Sequence, residues 1–328
     1  MKPWKNDVAV LLIFFTRDDV FAKTFAAVKE ARPRKLLLWQ DGPREGRPND
    51  MQGIQRCREI AEDIDWECEI YKNYQEKNWG CDPSTFYSHK WAFSIVDKCI
   101  ILEDDCVPAQ SFFPFCKELL DRYEKDLRIN RICGFNHEGV TSNYPYDYFF
   151  SSTGSVWGWA TWKRVADTWD EAYSFANDKF VMKAYAELRP DKAYKGIYRK
   201  LKRHQALEVP FWETINTYAR LLNGQLNIVA AKNLISNVGV GVDSTHSVEN
   251  IELLSANAKR NFFGKTYSYT LPLKHPKYIF DYAKYRKVAI RDKTVWSTCI
   301  SGIKRLFAGD KTLWNSILVH LKIRKLTK

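Results

Sequence analysis

Lys98-Cys99-Ile100-Ile101-Leu102-Glu103-Asp104-Asp105-Cys106-Val107-Pro108 decides how this chain reads. A short apolar run stops on three consecutive carboxylates. Such a run, bounded by a turn signal, reads as a fully buried strand. Acids just past its end are solvated by the crevice there, not by the core. Three adjacent carboxylates repel one another, and a cation among them relieves the repulsion. Hard divalent cations take oxygen ligands and often share that role with substrate phosphates. The stretch therefore predicts a metal–diphosphate site at a strand end. The plain alternative is an acidic turn on a solvated surface.

Working outward, the first half alternates strands and helices. Val8 to Phe15 reads as a first buried strand. Asp18 or Asp19 is placed to cap a helix carrying Phe21, Phe25, Val28 and Ala31, ended by Pro33. Lys35 to Trp39 is a second strand, closed by the turn Asp41-Gly42-Pro43. Ile54, Cys57, Ile60 and Ile64 share the face of the next helix, and Trp66 to Tyr71 reads as a third strand. Phe86, His89, Phe93 and Val96 mark another helix opening near Pro83-Ser84; Ile100 to Leu102 is the fourth strand. Ser111 is placed to cap a helix with Phe112, Phe115, Leu119 and Tyr123, and Arg131 to Phe135 is a further strand. This β-α-β alternation predicts an α/β fold, a mostly parallel sheet flanked by helices.

Ligands of open α/β sheets bind outside the carboxyl ends of the strands. Arg17 follows strand one and Asp41 strand two. Asn73, Glu76 and Asn78 follow strand three, and the acidic triplet follows strand four. An Arg and a lone Asp beside a metal triad fit a nucleotide: Arg for phosphate or base, Asp for base or ribose, acids plus metal for the diphosphate. Neither GxGxxG nor GxxxxGK[ST] occurs, which disfavours ordinary dinucleotide and P-loop readings.

The second half differs. Phe149 to Trp162 mixes Trp, Gly and hydroxyls, suiting either a platform for a sugar ring or a packed core corner. Asp167 to Lys202 reads as a polar helical excursion. Pro210-Phe211-Trp212-Glu213 opens a helix running to Leu222, stopped by Asn223-Gly224. Leu226 to Ala231 is a late strand, and Asn233 to His246 an active-site loop or connector.

The 328 residues suit one large or two small domains, with 45% hydrophobic content for a core. The net charge of +12 is concentrated: from Leu271 onward there are 14 Lys/Arg against 3 Asp/Glu. Ile303 to Lys328 sets large apolar residues and Trp314 among basic neighbours. That pattern suits a helix lying on an anionic membrane surface, or a terminal helix packed on the domain. Nucleic acid is not the expected partner. Eight cysteines without a CxxC pair point to a reduced setting. The run Val8 to Phe15 is too short to span a membrane. A cytoplasmic protein, peripheral on the inner face of the cell membrane, is the expectation.

Set in order, several pieces resemble bacterial glycosyltransferases of the GT-A fold, in particular the group related to N-acetylglucosaminyltransferase I. They are Phe15-Thr16-Arg17, Leu38 to Arg44 with its Asp-Gly-Pro-Arg turn, Glu76 to Cys81, Ile101 to Asp105, Ser111-Phe112-Phe113, Trp157-Gly158-Trp159, Trp212-Glu213 and Asn233 to Asn237. The resemblance runs from about Val8 to His246. It implies a domain over residues 1–250, with a nucleotide-sugar half at 1–136 and an acceptor half at 137–250. Residues 251–328 would then be a basic C-terminal extension. It implies that Asp105 binds Mn²⁺ or Mg²⁺, with Glu103 and Asp104 toward the ribose and the metal-bound water. Arg17 and Asp41 would hold the uracil or its ribose, and Asn78 would lie near the donor. Trp157 and Trp159 would help form the donor-sugar or acceptor pocket. Glu213 stands where the group commonly has a catalytic Asp, one methylene longer, and His246 is a candidate second metal ligand.

Transfer of a sugar from a diphosphate needs charge neutralised on the leaving phosphate and a base for the acceptor hydroxyl. The expected activity is therefore inverting, metal-dependent transfer from a nucleotide sugar, such as a UDP-sugar, to a hydroxyl of a glycan or lipid-linked glycan. Two rivals use parts of the same pattern. One is a metal-dependent nucleotidyltransferase or phosphohydrolase; the other is a non-catalytic carbohydrate-binding protein built on the Trp-rich segment.

Overall fold

The computed structural model of the chain describes residues 1–188, 194–240 and 261–291. Eight strands form one sheet: β1 (Ala9–Phe14), β2 (Lys35–Gln40), β3 (Glu69–Tyr74), β4 (Lys98–Glu103), β6 (Ile129–Cys133), β7 (Tyr148–Ser151), β8 (Trp159–Trp162) and β9 (Leu226–Ala230). Their order is β3-β2-β1-β4-β8-β6-β9-β7. A two-stranded ribbon pairs β5 (Cys106–Pro108) with β10 (Ile235–Asn237). The pairings β1–β2, β2–β3, β1–β4 and β6–β9 are parallel, and only β8 and β7 run against the rest. The fold is mixed α/β, Rossmann-like, with a large and mostly parallel sheet flanked by helices.

Residue alternation explains why the sheet is covered on both faces. Val10, Leu12, Phe14, Leu36, Leu38, Ile100 and Leu102 point one way. There they meet α1 (Asp18–Ala31), α2 (Asn49–Ala61) and α4 (Phe112–Arg122) through Phe21, Phe25, Cys57, Phe115 and Leu119. Leu11, Ile13, Leu37, Trp39 and Ile101 point the other way. That face packs on α3 (Cys81–Ile95) and α8 (Trp212–Leu222), with the excursion of α5 (Lys163–Ala166), α6 (Lys179–Glu187) and α7 (Tyr194–Leu207) beyond. Strands buried on both faces read as continuous apolar runs, as β1, β2 and β4 do.

The third strand lies later than the periodicity predicts, at Glu69–Tyr74 rather than Trp66 to Tyr71. Trp66 is fully buried instead, its indole N–H donating to the Pro33 carbonyl at 2.8 Å. Ser111 precedes α4 without a side-chain cap; its hydroxyl reaches the Tyr267 carbonyl at 3.3 Å. The helix expected near Pro83-Ser84 opens at Cys81, after Gly80.

The described part of the expected C-terminal extension is built into the body. Leu273 belongs to the main core, and Tyr285 of α9 (Ala283–Arg291) is fully buried against Phe149, their rings 4.7 Å apart. The basic stretch Ile303 to Lys328 and His246 lie outside the described residues. Among the described residues no helix is long and apolar enough to cross a membrane.

Candidate functional site

The chain leaves β1 toward β2 and β3 on one side, then returns to build β4 on the other. The crevice at such a switch point is where open α/β sheets take ligands. Arg17 follows β1 and the acidic triplet follows β4, so they straddle it. The Arg17 guanidinium is forked on Asp104, Nε donating to Oδ2 at 3.3 Å and Nη2 to Oδ1, while Nη2 also donates to Asp105 Oδ2 at 3.0 Å. Thr24 of α1 donates to the Asp104 carbonyl at 2.8 Å, fixing the turn from below. The β5–β10 ribbon closes the site from above. Asn237 Nδ2 donates to Asp105 Oδ1 at 3.1 Å, and the Val238 N–H donates to the Asp105 carbonyl at 2.9 Å. Gly239 packs so closely that a Cβ there would fall 2.0 Å from Asp105 Oδ2.

This crowding costs the acids solvation. Burial first, then Asp105 and Asp104, holds the Glu103 carboxyl well above the usual carboxylate range. Burial pushes Asp104 up to about 6, against the pull of Arg17. Burial also pulls the Arg17 guanidinium down, but the Asp104 and Asp105 carboxylates outweigh it and raise it. Both members of the ion pair thus rise: two anions surround Arg17, while burial costs the Asp104 anion more than one shared cation offsets.

Asp41, buried just after β2, is the hub of the neighbouring loop. Oδ1 accepts from the N–H groups of Gly42 and Trp79, both at 2.9 Å. Oδ2 accepts from Asn78 Nδ2 and the Gly80 N–H, both at 3.1 Å. Asn78 also donates to the Gly42 carbonyl at 2.8 Å. The loop passes so close that a Cβ on Gly42 would meet Lys77 backbone atoms at 2.5 Å. Asp41 and Asn78 therefore hold the wall of the cleft in shape, and the Asp41 carboxyl is raised by burial against those donors. Together with Phe15, Arg44, Glu103, Trp157 and Phe262 these groups bound a cavity of about 450 Å³.

A second cavity, of about 1130 Å³, adjoins it. Because β8 is reversed, its leading end lies at the edge where β4 and β6 finish, and Trp157 just ahead of β8 lines both cavities. Glu213, exposed in the first turn of α8, lines the second cavity. It is near enough to the first to contribute to raising Glu103. Trp159, expected in the pocket with Trp157, is instead 1% exposed, one strand position inside the core and stacked on Trp212 at 5.9 Å. The alternation of β8 sends it under the sheet, so its part is scaffolding. The cavity floor holds Arg131 of β6, 4% exposed, with Nε donating to Asn227 Oδ1 at 3.2 Å and the guanidinium 5.5 Å from the Trp159 ring.

Asp104 and Asp105 converge on a single positive group, Arg17, which is the geometric requirement for sharing a cation. No group of three or more His, Cys, Asp or Glu among the described residues is gathered to hold a metal. Two hard carboxylates fit Mn²⁺ or Mg²⁺ when phosphate oxygens and water complete the shell. Two contributors escaped the sequence reading. Asn237 carried no assigned role, and Arg131 was read only as part of a strand. A charged residue inside the run Ile129-Asn130-Arg131-Ile132-Cys133 was the available signal.

No family model and no curated protein matches the chain. Among solved structures, an apo UDP-glucose pyrophosphorylase is similar at 9% identity and a TM-score of 0.36, over 70% of this chain and 93% of that one. A UDP-glucose pyrophosphorylase complexed with UDP-glucose is similar at 8% identity and a TM-score of 0.27, over 49% and 78%. At these values the likeness decides neither fold nor activity.

Proposed function

We propose that the chain is a metal-dependent transferase that moves a sugar from a nucleotide sugar, such as a UDP-sugar, to a hydroxyl of a glycan or lipid-linked glycan, with inversion. One observation carries this reading: a cleft with converging carboxylates at the sheet's switch point shares the Trp157 wall with a larger cavity that presents a carboxylate, Glu213. Two adjoining rooms suit a reaction that brings a donor and an acceptor together.

In this reading Asp104 and Asp105 hold the cation, which when bound neutralises charge developing on the departing diphosphate. Arg17 is released from them to pair with phosphate oxygens, a bidentate role suited to its fork. Asp41 and Asn78 keep the base-side wall rigid. Trp157 divides donor from acceptor and shields the sugar's reacting carbon from bulk water. Glu213, in the first turn of α8 and at the wall of the acceptor cavity, takes the acceptor hydroxyl's proton. Association with an anionic membrane through the basic C-terminal stretch belongs to the same proposal.

Calorimetric titration of UDP, with and without Mn²⁺, tests the reading on the intact chain and on Asp105→Ala. Metal-dependent binding that the substitution abolishes supports it. If UDP does not bind in the presence of metal, the assignment is refuted. Turnover of a UDP-sugar with pyrophosphate, and without any sugar acceptor, would favour the nucleotidyltransferase alternative instead.

A further inference from the structure

Arg131 is the group the proposed reaction leaves unused. It lies in the middle of β6, on the face that Cys133 shares with Trp159 of β8 and with β9. Only 4% of it is exposed, yet it lines the larger cavity. One of its five N–H donors has a described partner, Asn227 Oδ1. Nη1 is buried without a hydrogen-bond partner among the described residues, and so is Asn227 Nδ2 beside it. No carboxylate among the described residues forms a salt bridge with Arg131. The Trp159 ring supplies a cation–π contact, its centroid 5.5 Å from the guanidinium carbon.

A buried guanidinium is kept only where its charge and its donors are met. Two polar side chains in contact, Arg131 and Asn227, both line this cavity; Nη1 and Asn227 Nδ2 are sealed from solvent, which leaves Nη2 as the guanidinium donor that can meet a ligand there. Hydroxyls of Ser152, Thr153 and Ser155 border it. Arg220, Arg286 and Lys200 line the walls against Glu187 and Glu213; Arg286 is paired with Asp281 at 2.8 Å, and with Arg131 the remaining cations still outnumber the carboxylates among the described lining residues. Such a room matches a sugar that carries an acidic group.

We infer that the larger cavity binds an anionic sugar, a uronic acid or a sugar phosphate, whose carboxylate or phosphate oxygens accept from the Arg131 guanidinium. This rests on the proposed function in naming the sugar as the acceptor: its acidic group docks on Arg131, and a hydroxyl faces Glu213 at the cavity wall. The acceptor would then belong to an acidic glycan or a phosphate-linked sugar rather than to a neutral one. Neutral sugars leave the guanidinium unmet and are rejected, which makes Arg131 a specificity residue.

The test is calorimetric titration of the intact protein with glucose, glucuronate and glucose 6-phosphate, which differ only in the charged group. A charge-assisted hydrogen bond lost at a site of this kind corresponds to roughly 10–100-fold in affinity. The expected result is at least tenfold tighter binding of one or both anionic sugars. The tighter of the two names the acidic group. Arg131→Gln should bring the anionic sugars to within about twofold of glucose, and Thr217→Trp, which fills the cavity from a half-buried position of α8, should abolish binding of all three. UDP affinity at the other cleft should be unchanged in both variants, so loss of UDP binding in the parent protein speaks against the nucleotide-sugar reading and not against this one. Equal binding of glucose, absence of binding by any of the three, or a preference that survives Thr217→Trp overturns the inference. A preference that survives Arg131→Gln also overturns it and leaves Arg131 a structural cation held by Trp159 and Asn227. Should Arg131→Gln fail to fold, the parent protein and Thr217→Trp decide the matter alone.

Discussion

Lowering the pH from 7 to 5 should destabilise this fold through one imidazole, His89. The ring is fully buried in α3, edge-on to Trp212 at 5.0 Å, Trp159 at 5.3 Å and Trp169 at 5.5 Å. Neither ring nitrogen has a hydrogen-bond partner among the described residues. Burial, with Arg131 adding a like charge, takes its pKa down from 6.5 to about 3. The sign follows directly. The folded state keeps the ring neutral, whereas the unfolded chain takes up a proton below 6.5, so stability is lost as the pH falls through that value. Linkage gives a loss of about 2 kcal/mol between pH 7 and pH 5, growing to about 4 kcal/mol by pH 3. His89→Phe keeps an aromatic ring in the cage and removes both orphaned nitrogens. Urea unfolding of both chains at pH 7 and pH 5 isolates the imidazole, because every other titrating group is common to the two and cancels. The variant should be at least as stable at pH 7 and should lose about 2 kcal/mol less than the parent on acidification. A difference of differences under about 0.5 kcal/mol would refute the reasoning, because it would mean the proton reaches His89 in the folded protein.

Three further outcomes follow from the site. Gly42→Ala puts a Cβ into the Lys77 backbone, so thermal unfolding should show a loss of about 1–3 kcal/mol with weaker UDP binding; an unchanged melting temperature sinks the close-approach argument. Arg17→Ala leaves Asp104 and Asp105 without their shared cation, so the metal-free variant should melt lower than the parent and recover more with Mn²⁺; equal Mn²⁺ shifts in both chains would count against a cation position there. Glu213→Gln should keep UDP affinity within about twofold while turnover falls about 10²–10⁴-fold, and a variant with full turnover would remove Glu213 as the base.

The parallel half of the sheet was legible because its strands are continuous apolar runs that end on polar residues at one edge. Arg17, Asp41 and the triplet could be aligned from that rule alone. The edge strand β3 was misplaced by three residues because its half-exposed positions carry a weak pattern, and Trp66 mimics a strand residue while packing beneath the sheet. Trp157 and Trp159 could not be told apart in the sequence, since which one faces the cleft depends on the register and reversed direction of β8. The Asn237 contact with Asp105 spans 132 positions and comes from a short ribbon, a pairing that no local pattern announces. Arg131 was hidden for the opposite reason: the burial that makes it informative is a property of strands arriving later in the chain.

The reversed strand β8 also makes the segment ahead of it a partition. Residues 152 to 157 lie ahead of the strand and border the larger room, and Trp157 among them borders both, whereas the β4–β8 and β8–β6 ladders lie wholly behind them. Lengthening or shortening that segment would redistribute volume between the rooms while leaving every sheet hydrogen bond in place. Descendants of such a scaffold can exchange one acceptor for another by editing a single hairpin-length insert, with the nucleotide side inherited unchanged.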